Sequence, residues 1–462
     1  MPCEAPKRGT ETLSGCFDGS ILRAAASVTM AGVLVKTVAT FKEIVVAGVY
    51  GRSDAMDAFL AAFLIPNLLV NVIAESMNQA LMPTLVRVRL RQGREKAQEL
   101  LSNAMLRMVL LLSAVSAGMA VSARFFFPLI ARGFPAAKVE LCIRIFWMLL
   151  PMVLLTGIAS NCAAVLNTME RFALPAFAPV LVPLCVAAGA WLLHRQLGIW
   201  AVVLLTIGGS AAQAAVLAWY MSAHGYALRL RWRRADEATS EVARQYGPVL
   251  LSSVVASGGL LVDQAMAAAL PAGSVSTMVF ASRFVGVMMT LLAGGVSSAF
   301  APYFSIMVAE RDWGACRNTL RKGTLVTAGV AVPIAIGMIC GARFLVHVTL
   351  QHGAFGPRDT AEVAPVLAMF AIQIPFFAAS RIDYRFVLAM RRTDLVLYCG
   401  IVNLILDVVL DLLLMRYMGV AGLALATSLW TISTWAFFRI CARRLLAGAQ
   451  ASLPTAGALS RG

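Results

Sequence analysis

Three cations stand where a membrane helix should be dry. Lys36 and Lys42 lie in the first long apolar run of the chain, and Arg283 is the single charge in the eighth. A basic group at the centre of a bilayer costs about 2.5–3.5 kcal/mol on insertion scales, so a helix keeps one only where it faces water or a counter-charge. Lys36 and Lys42 are six residues apart, roughly 120° around a helix and less than two turns along it, so both can border one cavity. Cations converging on one cavity suit an anion, and a diphosphate above all. The second apolar run adds Asp57, Asn67, Asn71, Glu75, Asn78 and Gln79. From Asn67 onward the spacing i, i+4, i+8, i+11 forms one polar stripe, and Pro66 frees backbone carbonyls beside it. A second reading has the charges bridging one another inside the bundle, Lys42 with Asp57 or Glu75.

A separate acidic set stands further on. Asp263 is alone in the seventh run, and Asn403, Asp407 and Asp411 recur every four residues in the eleventh, on one face. Carboxylates and an amide in a dry bundle suit Na⁺ or a proton; a hydrogen-bond network between packed helices is the alternative. Arg381, Asp383, Tyr384 and Arg385 in the tenth run read equally as a gate or as a wet helix end. His347 and His352 near a loop do not make a metal site, and the nine cysteines contain no CxxC pair and read as small buried hydrophobes. There is no nucleophile–base pair, no phosphate-binding glycine loop and no zinc signature. The expectation is therefore a protein that is not an enzyme and carries no cofactor beyond Na⁺ or H⁺ coupling.

The chain that positions these groups is 462 residues long, 60% apolar and only 13% charged, with a net charge of +16. That is the composition of a polytopic membrane protein. Its basic residues sit in short clusters between apolar runs, which fits membrane topology and anionic lipid better than nucleic acid. Twelve runs are long enough to span: 24–49, 55–85, 101–130, 139–166, 172–193, 198–223, 246–270, 275–308, 319–350, 361–390, 394–415 and 419–441. The even loops are basic, for instance Arg87, Arg89, Arg91, Arg94 and Lys96 in the second and Arg311, Arg317, Arg321 and Lys322 in the eighth. The odd loops are poor in Lys and Arg, except the third with Arg124, Arg132 and Lys138. This alternation puts both termini in the cytoplasm. The first twenty residues carry Glu4, Lys7, Arg8, Glu11 and Asp18, unlike a cleavable signal peptide.

An internal repeat divides the chain. QALMP (Gln79 to Pro83) resembles SAFAP (Ser298 to Pro302), LNTMER (Leu166 to Arg171) resembles LAMRR (Leu388 to Arg392), and Arg195 to Gly198 matches Arg416 to Gly419, each at an offset of about 220 residues. The expected fold is all-α: about twelve transmembrane helices in two parallel six-helix repeats around a central cavity, the substrate lying between them. The expected segments are a cytoplasmic N-terminus (1–21), a first lobe (22–224), a cytoplasmic linker (225–245), a second lobe (246–446) and a disordered tail (447–462).

Lys36, Phe41-Lys42-Glu43, Gly51, Asp57-Ala58-Phe59, Pro66-Asn67-Leu68, Ala74-Glu75, Ala80 and Pro83 together resemble the signature of the MurJ (MviN) lipid II flippases, in the multidrug/oligosaccharidyl-lipid/polysaccharide exporter superfamily. The resemblance continues through LNTMERFALPAFAP (Leu166 to Pro179) and VSTMVFASRF (Val275 to Phe284), and covers residues 22 to 446. It implies a V-shaped two-lobe bundle in the bacterial inner membrane that moves a polyprenyl-diphosphate-linked saccharide by alternating access, alongside membrane lipids and cell-envelope glycan synthesis proteins. It implies substrate-binding roles for Lys36, Lys42, Asp57, Glu75 and Arg283, to which the polar stripe adds Asn67 and Asn71, and a sodium site of Asp263, Asn403 and Asp407, with Thr427 a weaker candidate. Two departures accompany it. The paired arginines of the family's second span fall here at Val70 and Asn71, and the family carries two spans beyond the twelve read here. They raise a second expectation, an exopolysaccharide or O-antigen unit as cargo; a cation-coupled small-molecule exporter of the same superfamily is the third.

Overall fold

A computed structural model describes residues 19–131, 133–169, 171–226, 237–390 and 392–451. Among the described residues the chain is helical, with no strand. Twelve long rods follow in order: α1 Gly19–Tyr50, α2 Asp54–Gln92, α3 Arg94–Ile130, α4 Ala136–Thr168, α5 Ala173–Leu192, α6 Trp200–Ala223, α7 Glu237–Ala268, α8 Ser274–Ala309, α9 Trp313–Cys340, α10 Pro357–Ala389, α11 Thr393–Met418 and α12 Val420–Ala451. By length and composition, α2 to α12 each hold a stretch able to cross a membrane; α1 is a rod of 32 residues that carries Lys36, Lys42 and Glu43. Loops are numbered here by the helix they follow, so the odd loops lie at one end of the bundle and the even loops at the other.

The rods stop where local chemistry stops them. Ser53 caps α2 by accepting from the Met56 amide, and Asp312 caps α9 by accepting from the Ala315 amide at 2.8 Å. Gly93, with φ +86°, breaks the chain between α2 and α3. The helices outrun their apolar cores: α7 begins at Glu237, so residues 237–245 of the expected linker are helical, and α12 runs to Ala451 into the expected tail. The rest of the expected linker (227–236), the N-terminus before Gly19 and residues beyond 451 lie outside the described residues.

Packing sorts the rods into two groups. α4 lies against α2, α3 and α6, and α5 against α1 and α6; in the second half α10 lies against α8, α9 and α12, and α12 against α11. The core explains how the groups join. At the odd-loop end one continuous apolar cluster draws Val46, Met56 and Phe59 from the first half together with Val275, Phe280, Phe355 and Phe370 from the second. At the even-loop end the clusters stay apart. One gathers Leu81, Leu101, Met105 and Met221; in the second half Phe304, Trp313, Ile382 and Phe386 form another, and Val387, Cys399 and Phe438 a third. A bundle with one shared core at one end and separate cores at the other is joined at the odd-loop end and splayed at the even-loop end. Among the described residues, α7 crosses the gap. Its first turns pack on α2 and α3, with Val242 inside the first half's core, while its far part packs on α11.

Candidate functional site

The site is built where α1 meets α8. Lys42 donates to Glu43 Oε1 at 2.7 Å, and Arg283 Nε reaches the same oxygen at 3.2 Å. Glu43 is buried, while the side chains of Lys42 and Arg283 keep 18% and 43% of their surface. Lys36 is exposed on the same helix and within electrostatic range of Arg283. Lys42 lies eight residues, about 12 Å, from the end of α1. The cluster therefore sits just inside the odd-end core, facing the splayed side. One carboxylate balances one of its three cations and leaves a net charge of +2 for an incoming anion. Glu43 Oε2 is buried with no hydrogen-bond partner among the described residues.

α2, which packs on α8, is not a regular helix. It carries Pro66, and a π-turn over Val70–Ala74 follows it, the kind of irregularity that recurs at functional sites. Asn71, Glu75 and Gln79 are exposed and Asn67 half-buried, whereas Asn78 turns inward. Asn78 donates to the Ser160 hydroxyl, and Glu75 accepts from Ser160 at 3.4 Å and Asn78 at 3.5 Å. Glu75 is thus held by neutral groups of α2 and α4, not by Lys42.

Asp57 is placed elsewhere than the cation cluster. It is wholly buried near the odd-loop end, accepts from the Gly273 amide at 2.6 Å and the Ser276 amide at 2.9 Å, and pairs with Lys138 at 3.0 Å. The two amides belong to the start of α8, so Asp57 caps a helix of the other half. Lys138 also pairs with Asp54 at 2.7 Å and lies 4.0 Å over the Phe134 ring. Two of the third loop's three cations are thereby placed: Lys138 is a buried counter-ion and Arg124 stacks on Trp147, while Arg132 lies outside the described residues. Beside it Arg52, only 9% exposed, donates to Gly273 O at 3.3 Å and pairs with Asp359 at 3.3 Å and with Glu362. The Ala354 amide donates to Gly48 O at 2.7 Å. These contacts join the halves across the odd-loop end.

The acidic set converges only in part as expected. Carboxylate oxygens of Asp263, Asp407 and Asp411 lie within 4.8 Å of one another, all three residues buried. Like charges at that distance cost about 3 kcal/mol per pair at an effective dielectric near 20, so the set needs a proton or a cation. Asn403, one turn before Asp407, donates to Thr434 at 2.8 Å, and the Thr427 hydroxyl donates to Leu423 O at 3.0 Å. In the tenth helix Asp383 is buried against Arg439 at 3.3 Å, tying α10 to α12, and Arg381 stacks on Phe377; that set reads as a helix tie. Glu43 and Lys138 are the two partners that the spacing of residues along the chain did not reveal.

Known proteins share this fold. The sequence matches the family described as "Lipid II flippase MurJ" over residues 46–456. A probable lipid II flippase MurJ of Synechocystis sp. is 25% identical over 448 residues, covering 94% of this chain and 84% of that protein. The corresponding Vibrio cholerae protein is 23% identical over 423 residues, covering 88% and 80%. Among solved structures, a lipid II flippase MurJ in an inward closed conformation superposes with TM-score 0.79 at 19% identity, covering 92% of this chain and 90% of that one. A multidrug resistance MATE family transporter of the MOP superfamily, inward-facing, superposes with TM-score 0.75 at 12% identity, covering 94% and 100%; that likeness speaks for the fold alone. Since the family match runs through nearly the whole bundle, including α2 and α8, this multi-pass membrane protein belongs to the lipid II flippase MurJ family.

Proposed function

We propose that this chain carries a polyprenyl-diphosphate-linked saccharide of the lipid II type across the bacterial inner membrane by alternating access. The observation that carries the reading is the meeting of Lys42 and Arg283, from opposite halves, on one oxygen of Glu43. In this state Glu43 stands where a phosphate oxygen would stand. An arriving diphosphate offers more acceptor oxygens than one carboxylate, so it takes over Lys42 and Arg283 and adds Lys36. Exposed Asn71 and Glu75 face the sugar side, and half-buried Asn67 supports them. Because the bridge joins the halves, exchanging Glu43 for the diphosphate alters how they are held together, which is the step alternating access needs.

Even loops on the cytoplasmic side place both termini there and open the splayed end toward the cytoplasm, where the headgroup is loaded. Re-setting draws on an ion gradient or the membrane potential. No covalent step is involved, so the role is that of a transporter and not an enzyme. The positions of Val70 and Asn71, apolar and neutral, narrow the positive charge to α1 and α8.

The test is flipping of lipid II by the full chain in proteoliposomes, read by enzymatic modification of headgroups exposed on the far leaflet. Lys42→Ala and Arg283→Ala should each lower the rate at least about tenfold, the loss of one charge-assisted contact of about 1.5–3 kcal/mol. A double variant that flips at the wild-type rate overturns the site. Flipping of an O-antigen unit but not of lipid II overturns the cargo.

A further inference from the structure

We infer that a slot between α3 and α7 holds one phospholipid of the leaflet at the even-loop end, with its phosphate on Arg107 and one acyl chain along the apolar wall. The slot is a cavity of about 210 Å³ where the first turns of α7 lie against α2 and α3. Leu100, Ala104, Arg107 and Leu111 line it from α3, Met77 from α2 and Val242 from α7. Arg107 is the one charged group in that wall among the described residues.

Depth decides what the slot meets. The large apolar side chains that α3 exposes run from Leu110 to Leu129. That stretch is about 29 Å long, and the hydrocarbon core of a bilayer is about 30 Å thick. Arg107 therefore stands about 4.5 Å outside the hydrocarbon, level with lipid phosphates, and Leu111 just inside it. The first turns of α7 stand at the same height, since Asn103 donates to the Thr239 hydroxyl at 3.3 Å. Tyr246, which also lines the slot, falls level with Leu110, the usual depth of an interfacial tyrosine. The side of α3 is fixed as well. Leu111 and Leu129 are about five turns apart and share a face. Phe125 and Leu129 are exposed at the odd-loop end, where the halves close on a common core. That face meets lipid and not the gap between the halves.

Chemistry then selects the occupant. A guanidinium at this depth is matched in charge and geometry by a lipid phosphate, which accepts two of its N–H groups. Side chains of α3 tilt toward its N-terminus, which carries the guanidinium to the headgroup layer. A free phosphate would leave the apolar wall below Arg107 uncovered, whereas an acyl chain covers it. A lipid seated there also fastens the first turns of α7 to α2 and α3.

The test is lipid binding, so it stands apart from the flippase reading. The delipidated full chain in detergent is titrated with dioleoylphosphatidylglycerol, dioleoylglycerol or sodium phosphate, read by native mass spectrometry and thermal melting. One phosphatidylglycerol per chain, bound ahead of further lipids and raising the melting temperature saturably, is expected. Dioleoylglycerol and phosphate should not reproduce it. Arg107→Gln should weaken this binding at least about tenfold through the loss of a charge-assisted contact. Ala243→Phe should do the same by filling the slot from an exposed position of α7, and Val121→Ala, on exposed α3 surface beyond the slot, should leave it unchanged. The inference is overturned if no lipid binds ahead of the rest, if dioleoylglycerol binds as well, if phosphate alone stabilises equally, or if either slot variant binds lipid as the wild type does. Should Arg107→Gln not fold, Ala243→Phe decides in its place.

Discussion

Lys42 and Arg283 come from opposite halves of the chain and share one carboxylate oxygen of Glu43. The bridge is half-solvated, so its worth is below that of a fully buried triad, and it can be exchanged. A locked ion triad would hold the halves together and refuse a substrate. A triad with one exposed member holds them while substrate is absent.

Glu43→Gln should leave two adjacent cations with a neutral partner. The substrate-free protein should lose about 1–2 kcal/mol, the scale of a charge-assisted bond to a part-exposed group. Thermal melting in detergent measures this, and unchanged melting would show that the bridge contributes nothing to holding α1 on α8.

Asp57→Asn should be more harmful. It removes the charge that Lys138 needs in a dry place and weakens the cap of α8, so about 3–5 kcal/mol is at stake. Adding Lys138→Met to Asp57→Asn should recover part of the loss, since the buried cation is then gone. A double variant less stable than Asp57→Asn alone would contradict this account.

Arg52→Glu should loosen the odd-loop end by replacing attraction to Asp359 and Glu362 with repulsion. In a background without native cysteines, a cysteine at Ser276 should then label faster with an impermeant thiol reagent added outside. Combining Arg52→Glu with Glu362→Arg should slow labelling again. Gly353→Ala should act like Arg52→Glu, because Gly353 has φ +62° and a Cβ there would strike the Gly48 carbonyl.

Arg87 pairs with Glu241 at the even-loop end, joining α2 to the first turns of α7, and both side chains are partly exposed. Arg87→Ala should leave thermal melting essentially unchanged, since a solvated ion pair adds little to stability. A clear drop in melting would make this contact a fastening of α7.

Much of the architecture could be read from residue types, because a helix in lipid must be apolar for its whole length. The runs 24–49, 139–166 and 394–415 therefore announced themselves, each ending within three residues of its helix. Lys36, Lys42 and Arg283 stood out for the same reason in reverse. What escaped were partners distant in sequence. Glu43 was visible as a charge, yet nothing local shows that Arg283 reaches it. Asp57 read as a cavity group, because capping a helix of the other half is a tertiary fact. Lys138 read as a loop charge until its burial beside Asp54 and Asp57 was known. Asn78 fell on the expected stripe, but the π-turn before it shifts the phase of the helix, and propensity does not betray such a turn.

That π-turn has a consequence for how this second helix tolerates change in length. Its wider ring holds one residue more than the ordinary turn. Deleting a single residue from Val70–Ala74 would let regular winding resume with Glu75 and all that follows close to their present phase, because the wider turn already absorbs the extra residue. Deleting one residue from the regular winding between Phe59 and Ile65 would instead shorten the rod by about 1.5 Å and swing everything after it by about 100°. One lost codon would thus be absorbed within the wide turn, yet a few residues earlier it would turn Glu75 and Gln79 away from their present surroundings without replacing a single ionisable side chain.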